Sequence, residues 1–184
     1  MPFGPFALWN AALNASETEV KPVVFNPNSK YSLFVVANAP VVIELSSWQL
    51  EGTDEQGWSP PLAAITNISP DHLNRYRDMD DYAEAKFAII RHQRAADTAV
   101  LNADDPRVRG FAARAPGQVV WFGRHAPGAT LPGPGVYLDA DGITWYPADG
   151  EKTLLARADE IRVPGPHNRL NACCAAQLAL LAGV

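Results

Sequence analysis

Cysteine is nearly missing from the 184-residue sequence, which has only Cys173 and Cys174, side by side. Neighbours on a helix point about 100° apart, so this pair suits small buried side chains better than a disulfide bridge or a metal site. An excess of positive charge is missing too. Lys and Arg number 15 against 20 Asp and Glu, a net charge of -5 with the basic residues scattered, which leaves no electrostatic footprint for nucleic acid or an anionic bilayer. No apolar run is long: the longest, 172–184, is interrupted by Gln177 and is too short to span a membrane. Residues 1–9 lack a basic region and a cleavage signature. These absences point to a cytoplasmic address, with neither nucleic acid nor membrane as partner.

What is present suits a globular domain. The chain is 47% hydrophobic and 19% charged, and a chain of this length buries roughly 70% of its unfolded surface without help from metals or disulfides. Sixteen Pro and 13 Gly imply many punctuated connections. Residues 1–38 show no period or repeat, only the turn signal Asn26-Pro27-Asn28-Ser29. They are left as an unassigned segment ahead of a domain expected over 39–184.

Within that domain, Val41-Val42-Ile43-Glu44-Leu45 and Ala63-Ala64-Ile65-Thr66-Asn67-Ile68 read as strands buried on both faces. A polar connection, 49–61, separates them. The spacing predicts a helix over 78–93, opened by acidic residues that suit its dipole. A strand at 99–102, a helix over 104–114 and a strand at 118–122 follow. Alternation of this kind predicts an α/β fold, a mostly parallel sheet flanked by helices. Residues 135–146 read as an appended β-hairpin around Asp141-Gly142, and a closing helix over 168–181 ends at Gly183.

Four runs carry chemistry. Glu44 ends a buried strand, where open α/β sheets face their ligands, and a hard carboxylate there could hold Mg²⁺ or simply point to water. Asn67-Ile68-Ser69-Pro70-Asp71-His72 follows the next strand; His72 could ligate a metal with Asp71 or a carbonyl orienting its other nitrogen, although loop histidines are usually surface groups. Lys86 lies on the apolar stripe Met79, Tyr82, Ala83, Ile89 and Ile90, where spacing alone favours snorkelling over chemistry. Gly165-Pro166-His167-Asn168-Arg169-Leu170-Asn171 opens the last helix. Its amides could read a nucleobase edge, or Asn168 could be an N-cap.

In this order, Glu44-Leu45-Ser46-Ser47-Trp48-Gln49-Leu50-Glu51, Asn67 through Tyr76, Ala85-Lys86, Leu101-Asn102-Ala103-Asp104-Asp105-Pro106 and Gly165 through Ala172 resemble the central domain of the Mur ligase family. The resemblance covers roughly 37–184, and the run from Glu44 to Gln49 is similar to the branch that adds D-glutamate. It implies that Glu44, His72 and Lys86 hold Mg²⁺, with Lys86 N-carbamylated. It implies further that Ser46, Gln49, Asn67 and Asp71 line the substrate side and that Asn168 and Asn171 face the adenine of ATP. The implied substrates are UDP-N-acetylmuramoyl-L-alanine and D-glutamate, joined through an acyl-phosphate.

One family feature has no match. The glycine-rich loop that ends in Lys-Ser/Thr and cradles phosphates should precede Glu44, but the Gly-x-x-x-x-Gly spacing from Gly52 to Gly57 lies downstream and is followed by Trp58-Ser59. The expectation is therefore a fragment that is catalytically incomplete by itself. A sibling amide ligase and a non-catalytic nucleotide- or partner-binding module stand as alternatives.

Overall fold

Alternation along the central strands decides the layering, because successive side chains of a strand point to opposite faces. Described here by a computed structural model over residues 7–11, 41–70 and 75–183, the chain places Ala63, Ile65, Ala99, Leu101, Trp121 and Tyr137 in one apolar layer. Their neighbours Leu62, Ala64, Val100, Phe122 and Val136 lie in the other. In chain order the elements are β1 (Ala7–Ala11), β2 (Val41–Leu45), α1 (Ser47–Glu55), β3 (Leu62–Ile65), α2 (Met79–Arg91), β4 (Thr98–Asn102) and α3 (Pro106–Gly110). A 3-10 turn (Phe111–Ala113) extends α3, followed by β5 (Gln118–Arg124), β6 (Gly135–Leu138), β7 (Gly142–Tyr146), β8 (Thr153–Arg157) and α4 (Pro166–Ala182).

The strands form one sheet in the order β2-β1-β3-β4-β5-β6-β7-β8. From β3 to β6 every pairing is parallel. β1 runs antiparallel to both β2 and β3, so those two point the same way. Beyond β6, β7 turns back and β8 turns again, which leaves only β1 and β7 opposed to the common direction. The expected α/β class, a mostly parallel sheet with flanking helices, is what forms. The hairpin around Asp141-Gly142 forms too, but it continues the sheet through the β5–β6 pairing. Its third strand, β8, is a polar-flanked segment that the sequence reading passed over.

Residues of α1, α2 and α3, among them Leu50, Tyr82, Phe87 and Val108, cover one face. On the other, α4 packs Leu170, Cys173, Cys174 and Leu178 against β3 to β7. Both thiols are buried and unbridged, and burial pushes that of Cys173 up to about 12, as small core side chains should behave. Each helix starts where local chemistry requires. Asp78 accepts the Asp80 and Asp81 amides at the head of α2. Gly183, at φ 75, closes α4 in the left-handed conformation that glycine adopts without a Cβ clash.

Several expectations are corrected. Residues 49–61 are not merely a polar connection, since α1 occupies their first half, opened by the backbone amide and hydroxyl of Ser46, which both donate to Gln49 Oε1 at 2.8 Å. β2 is not buried on both faces: among the described residues it is the outermost strand, and Val42 is 61% exposed. β3 stops at Ile65, so Thr66, Asn67 and Ile68 belong to the loop beyond it. The helix expected over 104–114 begins only at Pro106, because Asp105 caps it, and it tightens to a 3-10 turn after Gly110.

The β5–β6 pairing depends on a glycine. A Cβ on Gly135 would strike the Trp121 carbonyl of the neighbouring strand, whereas one on Gly110 would meet nothing within 4 Å. Gly135→Ala is expected to lower unfolding stability by about 2 kcal/mol or more, in the range of overpacking substitutions. Gly110→Ala should be neutral or stabilising by up to about 1 kcal/mol. Urea denaturation of the two variants checks this, and equal midpoints would refute the steric argument.

Candidate functional site

Strands that end on the same edge bring their following residues side by side, and in open α/β sheets this carboxyl edge is where ligands are held. Here the edge gathers Glu44 from β2, residues 66–68 from beyond β3 and residues 102–105 from the end of β4. Side chains bonded to backbone hold it in shape. Asn102 is buried; its Nδ2 donates to the Thr66 carbonyl at 2.6 Å and its Oδ1 accepts the Asp104 amide at 2.8 Å. One oxygen of Asp105 accepts the Ile68 amide at 2.8 Å. The other accepts the Arg107 and Val108 amides at 2.9 and 3.1 Å, opening α3. In the sequence this run carries the family resemblance and no other signal; the ladder it makes ties the exit of β3 to the exit of β4.

Between those ties sits Asn67, whose Oδ1 is buried with no hydrogen-bond partner. A buried acceptor left unmatched costs about 1–3 kcal/mol, and a donor presented from outside would recover that loss.

Lys86 lies on the inward face of α2 and is 3% exposed, with Nζ 5.7 Å from the centroid of the Tyr82 ring. The snorkelling favoured from spacing is therefore not what forms: the side chain is held inside the interface between α2 and the sheet. Partial desolvation raises the Glu44 carboxyl above its ordinary 4.5, and the positive charge of Lys86 opposes that shift. The two approach from different sides. Leu8 stands opposite both Glu44 and Ala64, so the register puts Glu44 on the face of Ala64, and α2 covers the other. Their charges act on each other around the end of the sheet.

Ser46 and Gln49, bonded to each other, lie two and five residues after Glu44. Asp71 and His72 lie outside the described residues. Among the described residues no group of three His, Cys, Asp or Glu is arranged to hold a metal ion. Asn168 is not the N-cap of α4, a place taken by Gly165 at φ 84, with Pro166 after it. It is exposed at the third helical position and donates Nδ2 to the Pro164 carbonyl at 2.8 Å, while Asn171 is half-buried. Cys173, a little further along, feels the charges of Asp104 and Asp139, which stand just beyond β4 and β6. β8 points the common way and so ends at this edge, with eight residues between it and the start of α4.

A family model described as the Mur ligase middle domain matches residues 28–179. The chain belongs to this family. Among its relatives, the UDP-N-acetylmuramoylalanine--D-glutamate ligase of Symbiobacterium thermophilum is 44% identical over 150 residues, 81% of this chain and 31% of that protein. The protein of the same name from a Roseiflexus species is 40% identical over 153 residues, 82% of this chain and 33% of that one. The Mur-family chain thus spans about a third of the length of the curated relatives it matches. A solved UDP-N-acetylmuramoyl-L-alanyl-D-glutamate--2,6-diaminopimelate ligase superposes with a TM-score of 0.51 at 22% identity, over 76% of this chain and 29% of that one, a likeness of fold alone. Among the described residues no helix is long and apolar enough to cross a membrane.

The Asp105 ladder can be tested by itself. Asp105→Ala removes an N-cap and the anchor of Ile68 together, and is expected to cost about 1–2 kcal/mol, as capping residues do. Thermal unfolding of the variant measures this, and an unchanged midpoint would show that the ladder is incidental.

Proposed function

We propose that this chain is the ATP-handling middle part of a ligase that joins D-glutamate to UDP-N-acetylmuramoyl-L-alanine in peptidoglycan synthesis. The observation that carries the reading is Lys86, a lysine kept inside the α2–sheet interface and coupled in charge to Glu44 at the carboxyl edge. The names of the relatives, at 40% and 44% identity, support the choice of D-glutamate.

The donor set suits a divalent cation on one condition. A lysine ammonium beside Glu44 would repel Mg²⁺, whereas addition of CO₂ to the neutral amine, with loss of a proton, makes an anionic carbamate with two oxygen donors. Desolvation favours the neutral amine that this addition requires. Glu44, the Lys86 carbamate and His72 would then hold Mg²⁺, which supplies charge neutralisation for the transferring phosphoryl group. The rest falls to the chain. Ser46, Gln49, Asn67 and Asp71 would hold the substrate with its carboxylate at the edge, the unpaired Asn67 Oδ1 accepting from an N–H or O–H group of the substrate. Asn168 and Asn171 would fix the adenine at the start of α4.

In the first step a carboxylate oxygen bonds to the terminal phosphorus of ATP as the bond to the bridging oxygen breaks, and ADP leaves. In the second the D-glutamate nitrogen bonds to the acyl carbon, phosphate departs with its oxygen, and the amine gives up a proton. The sequence holds no Gly-rich Lys-Ser/Thr loop for the phosphates, which favours a second reading in which this polypeptide alone binds without turnover.

Mn²⁺ titration followed by electron paramagnetic resonance, with bicarbonate present, tests the metal edge. The unaltered chain should bind the ion, and Glu44→Gln should weaken binding by about 10- to 100-fold, at least the loss seen when ligand-supporting groups are removed. Equal affinities in the two proteins would refute the assignment.

A further inference from the structure

Glu51 on α1 reaches across to the segment that follows residues 71–74. It accepts the Tyr76 hydroxyl at 2.7 Å through Oε1 and pairs with the Arg75 guanidinium through Oε2. Burial works to raise the carboxyl, and the bonds from Arg75 and Tyr76 more than offset it, so Glu51 sits below its ordinary 4.5 and stays ionised. The Arg75 guanidinium also lies 5.9 Å from the Trp48 ring centroid, back on α1.

The contact does not end at the surface. Tyr76 is itself buried, and its ring meets that of Tyr82 at 5.2 Å between centroids. Tyr82 stands one helical turn before Lys86, whose Nζ faces the same ring. Glu51, Tyr76, Tyr82 and Lys86 therefore form a continuous line from α1 to the interior of α2. An exposed ion pair alone would contribute little, and Arg75 is half exposed. A charge-assisted bond from a buried phenol is a stronger and more directional tie.

We propose that Glu51 is a positioning residue, fixing both Arg75-Tyr76 and the aromatic wall against which Lys86 lies. The functional consequence rests on the reading of this edge as a metal and carbamate site; the clamp itself rests only on the contacts above.

Hydrogen exchange followed by mass spectrometry on the 184-residue protein tests it, using Glu51→Gln and Tyr76→Phe, both close in shape to the originals. In each variant amides of residues 75–82 should exchange about tenfold faster, as a locally opened unit does, while β4 and β5 keep their protection. Unchanged exchange over 75–82 overturns the clamp, and so does an equal increase throughout β4 and β5, which would mark a general loss of stability. Mn²⁺ binding under the same conditions separates the two proposals. Local loosening in a protein that never binds Mn²⁺ leaves the clamp standing and sinks the metal reading. If the unaltered chain binds Mn²⁺ and Glu51→Gln binds it equally well despite the loosening, Glu51 does not position the site.

Discussion

A lysine side chain enclosed between a helix and a sheet has to be accommodated, by an opposite charge, by an aromatic face or by chemistry that removes its charge. Lys86 has the first two within range, in Glu44 around the end of the sheet and in the ring of Tyr82. Much of the remaining architecture serves to keep it there. The stripe Tyr82, Ala83, Ile89 and Ile90 buries the same face of α2 as Lys86.

Directionality of the strands does the rest. Because β2, β3, β4 and β5 point the same way, their ends deliver Glu44, Asn67 and the Asn102–Asp105 ladder to one edge, while α4 lies on the opposite face from α2. The ladder is built of side chains that accept or donate to backbone groups. It therefore holds the loop after β3 in a fixed shape and leaves the Asn67 acceptor unmatched. Such an edge is rigid in its frame and open in a few polar groups, the combination that a site for transferring a charged group requires.

The elements most legible in the sequence were those with strong period or caps: β3, β4 and β5 from their apolar runs, α2 from its acidic start and stripe, and α4 between Gly165-Pro166 and Gly183. α1 was hidden because its residues are polar and contain Gly52, although Ser46 and Gln49, three apart, spelled a capping box. β2 looked doubly buried because sequence does not reveal which strand lies outermost. For the edge itself, residue identity pointed to Glu44, Asn67 and Lys86 but could not say that Lys86 is enclosed, since an apolar stripe is equally compatible with snorkelling. Glu51, Arg75 and Tyr76 carried no periodic signal; their contacts arise from the packing of α1 beside α2, which only tertiary structure supplies.

Whether the charge of Lys86 is removed by carbamylation decides between a structural lysine and a member of a reactive edge. Carbon-13 NMR of the protein equilibrated with ¹³C-bicarbonate and Mg²⁺ addresses that directly. The expected result is a protein-bound carbamate resonance that vanishes in Lys86→Arg while the variant stays folded. Absence of any bound resonance from the unaltered protein, or one that persists in Lys86→Arg, would contradict it.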